Sequence, residues 1–168
     1  PGEITSVMHG TTVATNTILT GTGAKVGLIT TKGYRQVLQI ARSFVPGGLG
    51  GWVIYNKSDP LAPLALTIEA DERMSSKGEV ISNLKVGQLT KDIKELSKKG
   101  IEAITVSLIN SFANDKHEKE IRAQIRKKKL LPNVPVSLSS EVVPEMQEYE
   151  RTITTVANSY VRPRVAEY

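Results

Sequence analysis

An α/β layer architecture is the fold class that this 168-residue sequence predicts, and three observations predict it. The segment 101–109 is nearly continuous apolar sequence, as a central strand covered on both faces requires. Directly before it, Val86, Leu89, Ile93 and Leu96 recur at helical spacing. An earlier apolar run, Val26-Gly27-Leu28-Ile29, is followed by Tyr34, Val37, Leu38 and Ala41 at i, i+3, i+4 and i+7. Strand and helix signals therefore alternate along the chain.

Taken in order, residues 4–9 read as a short strand and 11–19 as a helix capped by Thr11 or Thr12. A strand over 25–30 and the amphipathic helix from Tyr34 to Ala41 come next. Val45-Pro46-Gly47-Gly48-Leu49-Gly50-Gly51 cannot hold a helix, and Pro60 and Pro63 punctuate a long excursion. It leads to a strand over 66–73, which 79–84 can pair with around Ser76-Lys77-Gly78. The next helix stops at Lys98-Lys99-Gly100, a basic last turn followed by a glycine. After the central strand come a basic helix over 115–129 and a strand over 134–138. Met146, Tyr149, Ile153, Val156 and Tyr160 mark a last helix starting near Pro144, since proline is tolerated in a first turn.

Composition narrows the function classes. A hydrophobic fraction of 39% and a charged fraction of 23% describe a globular chain rather than a disordered one. Absence of cysteine excludes a disulfide framework, thiol catalysis and cysteine-ligated zinc, and two histidines exclude a multi-histidine metal site. No apolar run approaches a membrane span, and no signal-peptide pattern opens the sequence, so a cytoplasmic location is expected. The formal charge of +5 is local: residues 115–129 carry seven basic side chains against three acidic ones. That segment reads as a solvated helix face with Ile121 and Ile125 turned inward, and it lacks the aromatics of a nucleic-acid surface.

Three segments can carry chemistry. His9-Gly10-Thr11-Thr12-Val13-Ala14-Thr15-Asn16 lies where a strand passes into a helix, so backbone donors and hydroxyls converge on an anion-binding start. Gly10 allows close approach of a ligand, and His9 suits proton transfer; the plainer reading is a helix cap beside a structural histidine. Ser139-Ser140-Glu141-Val142-Val143-Pro144-Glu145, continuing to Glu148 and Arg151, follows a strand, where ligands of α/β sheets sit. Its carboxylates suit acid–base or metal chemistry, or simply the first turn of a helix. The cluster Gly47–Gly51 before Trp52 reads as a lid or as a connector. Arg42 suits a substrate carboxylate or phosphate, or a surface salt bridge.

Read together, these segments resemble a known family. His-Gly-Thr-Thr-Val-Ala-Thr-Asn at 9–16, Leu-Ile-Thr-Thr-Lys-Gly-Tyr-Arg at 28–35 and Ser-Phe-Ala-Asn at 111–114 with His117-Glu118 occur in that order. Ser-Ser-Glu-Val-Val-Pro-Glu at 139–145, Glu148-Tyr149-Glu150-Arg151-Thr152 and Thr154-Thr155-Val156-Ala157-Asn158 follow. The ordered set resembles the N-terminal domain of the hydantoinase A/5-oxoprolinase/acetone carboxylase β-subunit family. The resemblance implies a partial ribonuclease H-like, actin-like ATPase-type domain with a mixed sheet and flanking helices. It also implies use of ATP and Mg²⁺ to phosphorylate an amide or carbonyl oxygen. Ring opening of a small cyclic amide then follows in hydantoinase-type members, and carboxylation of a ketone in the other branch.

On that resemblance His9, Glu141 and Glu145 are expected as catalytic residues. Gly10, Thr11, Thr12, Asn16, Arg42 and Arg151 are expected as phosphate or substrate contacts. The expected partner is a hydantoinase B-type subunit, with self-association also open and neither nucleic acid nor membrane involved. The glycine-rich Asp-Gly-Gly-Thr hairpin of such proteins does not occur in the sequence, and Gln36 stands where the family places an acid. Residues 1–168 are therefore expected to be a single truncated domain, inactive alone. A non-catalytic assembly role is the rival expectation.

Overall fold

A computed structural model of the protein describes residues 11–42 and 58–167. The order is α1 (Val13–Thr20), β1 (Val26–Thr31), α2 (Val37–Ile40), a 3₁₀ turn (Leu64–Leu66), β2 (Thr67–Ala70), β3 (Arg73–Met74) and β4 (Val80–Ser82). Then come α3 (Val86–Ser97), β5 (Ala103–Ser107), α4 (Lys116–Lys127), β6 (Val136–Leu138), α5 (Ser139–Val142) and α6 (Glu148–Glu167). The strand expected over 4–9 and the glycine-rich excursion over 45–51 lie outside the described residues.

One sheet of order β2-β1-β5-β6 organises these elements, with every neighbouring pair parallel. The mixed sheet that was expected is, in its described strands, parallel throughout; antiparallel pairing is confined to the separate β3–β4 ribbon. Strands β1 and β5 occupy the centre and are buried along their whole length. Alternation on β5 splits the core in two, because successive side chains point to opposite faces. Ile104 and Val106 join Leu89, Ile93 and Leu96 of α3 and Ile121 and Ile125 of α4 in one cluster. Ala103 joins Val26, Leu28, Leu38, Val156 and Tyr160 in the cluster on the opposite face.

The second face is unusual, because α6 meets the sheet largely through hydroxyls. Thr105 Oγ1 lies 2.7 Å from Ser159 Oγ, and Ser107 Oγ lies 2.8 Å from Thr152 Oγ1. The expected apolar stripe of this helix is thereby corrected. Val156 and Tyr160 are buried, but Ile153 is 39% exposed, and Met146 is 70% exposed and precedes the helix. Short hydroxyl side chains pack like small apolar ones when each hydroxyl finds a partner, so hydrophobic periodicity underreports this face.

Three further expectations change in detail. The helix from Tyr34 to Ala41 shrinks to the four residues of α2, ended by Ala41 at a φ of 53°. The strand over 66–73 breaks into β2 and β3 at Asp71-Glu72, and it is β3 that pairs with β4. The last helix starts at Glu148, with the separate turn α5 ahead of it. By contrast α3 ends as expected, before Gly100 at a φ of +69°.

Candidate functional site

Parallel strands place their carboxyl ends along one edge of a sheet, and ligands of α/β folds bind there. Here that edge holds a buried polar network assembled around the residues that follow β5. Three consecutive backbone amides are each taken by a side-chain acceptor. Leu108 N–H donates to Glu118 Oε1 at 3.0 Å, Ile109 N–H to Thr31 Oγ1 at 3.0 Å, and Asn110 N–H to Glu148 Oε1 at 3.1 Å. Asn110 has a φ of 60°, a left-handed conformation that asparagine tolerates better than most residues, and its Nδ2 donates to Met74 O at 2.9 Å.

Each acceptor is fixed in turn. Glu118, wholly buried in the first turn of α4, also accepts from Ser139 Oγ at 2.6 Å, Ser140 N–H at 2.9 Å and Ser140 Oγ at 2.7 Å. Each of its two oxygens thus takes two donors. Thr31 donates its hydroxyl to Glu72, whose other oxygen lies 2.7 Å from His117 Nδ1. Both Glu72 and His117 are buried, and His117 Nε2 has no hydrogen-bond partner among the described residues.

Glu148 pairs with Arg151, one turn on in α6, and Arg151 Nη2 also donates to Leu108 O at 2.6 Å. Arg151 is 0% exposed, lies 5.6 Å from the centre of the Phe112 ring, and leaves Nε and Nη1 without a partner among the described residues. Burial is the leading influence on Glu148 and holds its carboxyl above the usual range, although Arg151 and the Asn110 amide pull the other way.

The residues singled out from the sequence are distributed unevenly over this edge. His9 and Gly10 lie outside the described residues. Thr11, Thr12 and Asn16 are exposed at the start of α1, where Thr11 Oγ1 accepts Val13 N–H at 3.2 Å and Asn16 Nδ2 donates to Thr12 Oγ1 at 3.3 Å. Thr12 occupies the cap position, but its hydroxyl takes no backbone N–H of the helix, and it is Thr11 that accepts one. Glu141 makes a two-point pair with Arg122 at 2.6 Å each, and that guanidinium holds its carboxyl below the usual range. Glu145 is exposed on the turn before α6. Arg42 pairs with Glu150. Of the expected contacts among the described residues, only Arg151 lies within the buried network.

Sequence reasoning missed Thr31, Glu72 and the direct part played by Glu118 and Glu148. The pair His117-Glu118 was visible as a motif, but its burial was not, because charged residues at a helix start ordinarily face water. Among the described residues no three acidic or histidine side chains converge as a metal site. A separate groove of about 430 Å³, lined by Lys32, Arg35, Glu69, Asp71, Asp92 and Lys99 among others, includes none of the expected site residues. Several of its charges are already paired: Asp71 with Lys32 and Lys85, and Lys99 Nζ with Ala65 O.

Comparison with known proteins gives this geometry its context. An uncharacterized protein of Methanocaldococcus jannaschii is 37% identical over 99% of this chain and 24% of its own length. The acetophenone carboxylase gamma subunit of Aromatoleum aromaticum is 33% identical over 95% of this chain and 23% of its own. The crystal structure of ATP-dependent caprolactamase from Pseudomonas jessenii matches with a TM-score of 0.83 and 33% identity, over 95% of this chain and 23% of that one. The chain thus spans about a quarter of the length of these relatives. Among the described residues no helix is long and apolar enough to cross a membrane. Residues 1–129 match the model of the hydantoinase/oxoprolinase N-terminal region, and the chain belongs to that family.

Proposed function

We propose that this domain serves an ATP-dependent hydrolase of cyclic amides, of the hydantoinase/5-oxoprolinase type, and is inactive alone. The carrying observation is the likeness to ATP-dependent caprolactamase along 95% of the chain, since a caprolactam ring is itself a cyclic amide. An amide oxygen resists attack until electron density is withdrawn from it, and ATP supplies the phosphoryl group that does so. What this chain contributes is positioning and charge.

The start of α1 fits an anionic ligand, because Thr11, Thr12 and Asn16 stand exposed around a helix N-terminus. His9 and Gly10 directly precede this segment in the sequence, and the same reading gives His9 the proton transfer and Gly10 the close approach of the ligand. Arg42 and Arg151 supply positive charge, while Glu141 and Glu145 are the exposed carboxylates offered for acid–base work. Mg²⁺ ordinarily keeps most of its waters and binds through phosphates and one or two carboxylates. Mg²⁺ belongs to this reading as the ion that accompanies the phosphates of ATP. The actin-like ATPase-type assignment, a hydantoinase B-type partner subunit and a cytoplasmic location, where ATP is supplied, belong to the same reading.

The test is ATP consumption by the whole protein with its partner subunit, using hydantoin, 5-oxoproline and caprolactam in turn. Ring-dependent ATP consumption is the expected result, and none with any of the three overturns the reading. A ketone carboxylase is the second reading, favoured by the likeness to an acetophenone carboxylase subunit. Consumption that requires bicarbonate and a ketone would select it instead.

A further inference from the structure

A buried guanidinium with idle donors is costly, and Arg151 is one. Its five N–H groups include one on Nε and two on Nη1, and neither nitrogen has a partner among the described residues. Only Nη2 is used, toward Leu108 O and the Glu148 carboxylate. Glu148 does not serve the remaining donors: one of its oxygens takes Nη2 and the other accepts from the Asn110 amide. This corner lies at the first turn of α6, a helix of 20 residues whose N-terminus favours negative charge. The Phe112 ring lies against the guanidinium. The Glu148 side chain is 28% exposed and is the wall of the corner that reaches water.

We propose that the Asn110 amide, the Arg151 guanidinium and the first turn of α6 form a seat for a phosphoryl-type oxyanion, which the Glu148 carboxylate occupies until a ligand displaces it. A tetrahedral anion presents more oxygens than a carboxylate and so reaches donors that Glu148 leaves idle. Burial already disfavours the ionised form of Glu148, which lowers the cost of turning it out to water. The seat deepens the functional reading above and rests on it only for the source of the phosphoryl group, a nucleotide or a phosphorylated substrate. Binding itself can be measured without turnover.

The experiment is calorimetric titration of the chain with inorganic phosphate, repeated on Glu148→Ala, Glu148→Gln and the double variant Glu148→Ala/Arg151→Met. Circular dichroism and thermal melting check that each is folded. Glu148→Ala is expected to bind phosphate at least about tenfold tighter than the unmodified chain, with Glu148→Gln between them, and the double variant is expected to lose binding. One tenfold step corresponds to about 1.4 kcal/mol. Equal affinity of Glu148→Ala and the unmodified chain overturns the proposal, as does undiminished binding by the double variant. Should Arg151→Met prevent folding, amide and Arg Nε resonances of the unmodified chain give the same decision. Saturable shifts at Asn110 and Arg151 support the seat, and shifts confined to other residues overturn it. A parallel titration with a non-hydrolysable ATP analogue identifies the source: tighter binding than phosphate supports a seat for a nucleotide phosphate, and phosphate binding alone supports one for a phosphorylated substrate. Absence of ATP consumption by the whole protein would refute the enzymatic reading and leave this outcome intact.

Discussion

Glu118 illustrates how much of this site is decided by single side chains. Its carboxylate satisfies the Leu108 amide, both groups of Ser140 and the Ser139 hydroxyl, tying the end of β5 to the start of α5. Glu118→Ala strands several buried donors, each costing about 1–3 kcal/mol when unsatisfied, so a total loss of about 3–5 kcal/mol is expected in urea unfolding. A loss under about 1 kcal/mol would mean that water replaces the carboxylate without penalty. Two other glutamates are expected to respond to pH in opposite directions. The carboxyl of Glu148 is raised, chiefly by burial, so the folded state holds its proton more tightly than the unfolded chain does. Its contribution to stability is therefore greatest below the unfolded value and falls as pH rises through the raised folded value. Glu141 is lowered, chiefly by Arg122, so its contribution is present above the unfolded value and lost as pH falls through the lowered one. The Glu141 side chain is 46% exposed, which keeps that contribution within about 1 kcal/mol. Unfolding curves of Glu148→Gln and Glu141→Gln between pH 3 and 7, compared with the unmodified chain, check both signs.

At the scale of elements, legibility followed the chemistry of the buried face. The helix α3 and the strand β5 were readable because Leu89, Ile93, Leu96, Ile104 and Val106 bury hydrocarbon and little else. The helix α6 was readable as a helix but not in its orientation, because Thr152, Thr155 and Ser159 are buried as hydroxyls matched to the sheet. The short α2 misled for a different reason. Of the four residues at helical spacing Val37 and Leu38 lie in the helix and only Leu38 is buried, and Tyr34 instead contacts Arg73, whose Nη2 donates to its hydroxyl at 3.1 Å. Close packing also sets a requirement that no periodicity reveals. A Cβ on Gly23 would fall 2.1 Å from Tyr160 Cε1, so the loop before β1 must carry glycine for α6 to seat its tyrosine. Gly23→Ala is expected to cost about 1–3 kcal/mol through displacement of that ring, read as a lowered urea midpoint with an unchanged slope. An unchanged midpoint would show that Tyr160 moves aside freely.

For the whole molecule, the sequence carried its class and its family further than it carried its site. Ordered motifs spread over the chain identify a family because they preserve spacing, whereas the buried network depends on which residues separate strands and helices bring to one edge. Thr31, Glu72 and Glu118 are far apart in sequence, and nothing in the residues around them shows that their side chains meet. The segment at 9–16 is the converse case: conspicuous in sequence, and exposed from Thr11 to Asn16 except at Val13. On the proposed proton-transfer role, His9→Ala in the whole protein is expected to lower turnover by about 10²–10⁴, the range for loss of a positioned acid–base group, while leaving the melting temperature within about 2 °C. A fall in melting temperature without a matching loss of turnover would make His9 a structural residue. Unchanged turnover would move the proton-transfer role elsewhere, and the buried His117, whose Nε2 is unpartnered among the described residues, would be the next imidazole to replace.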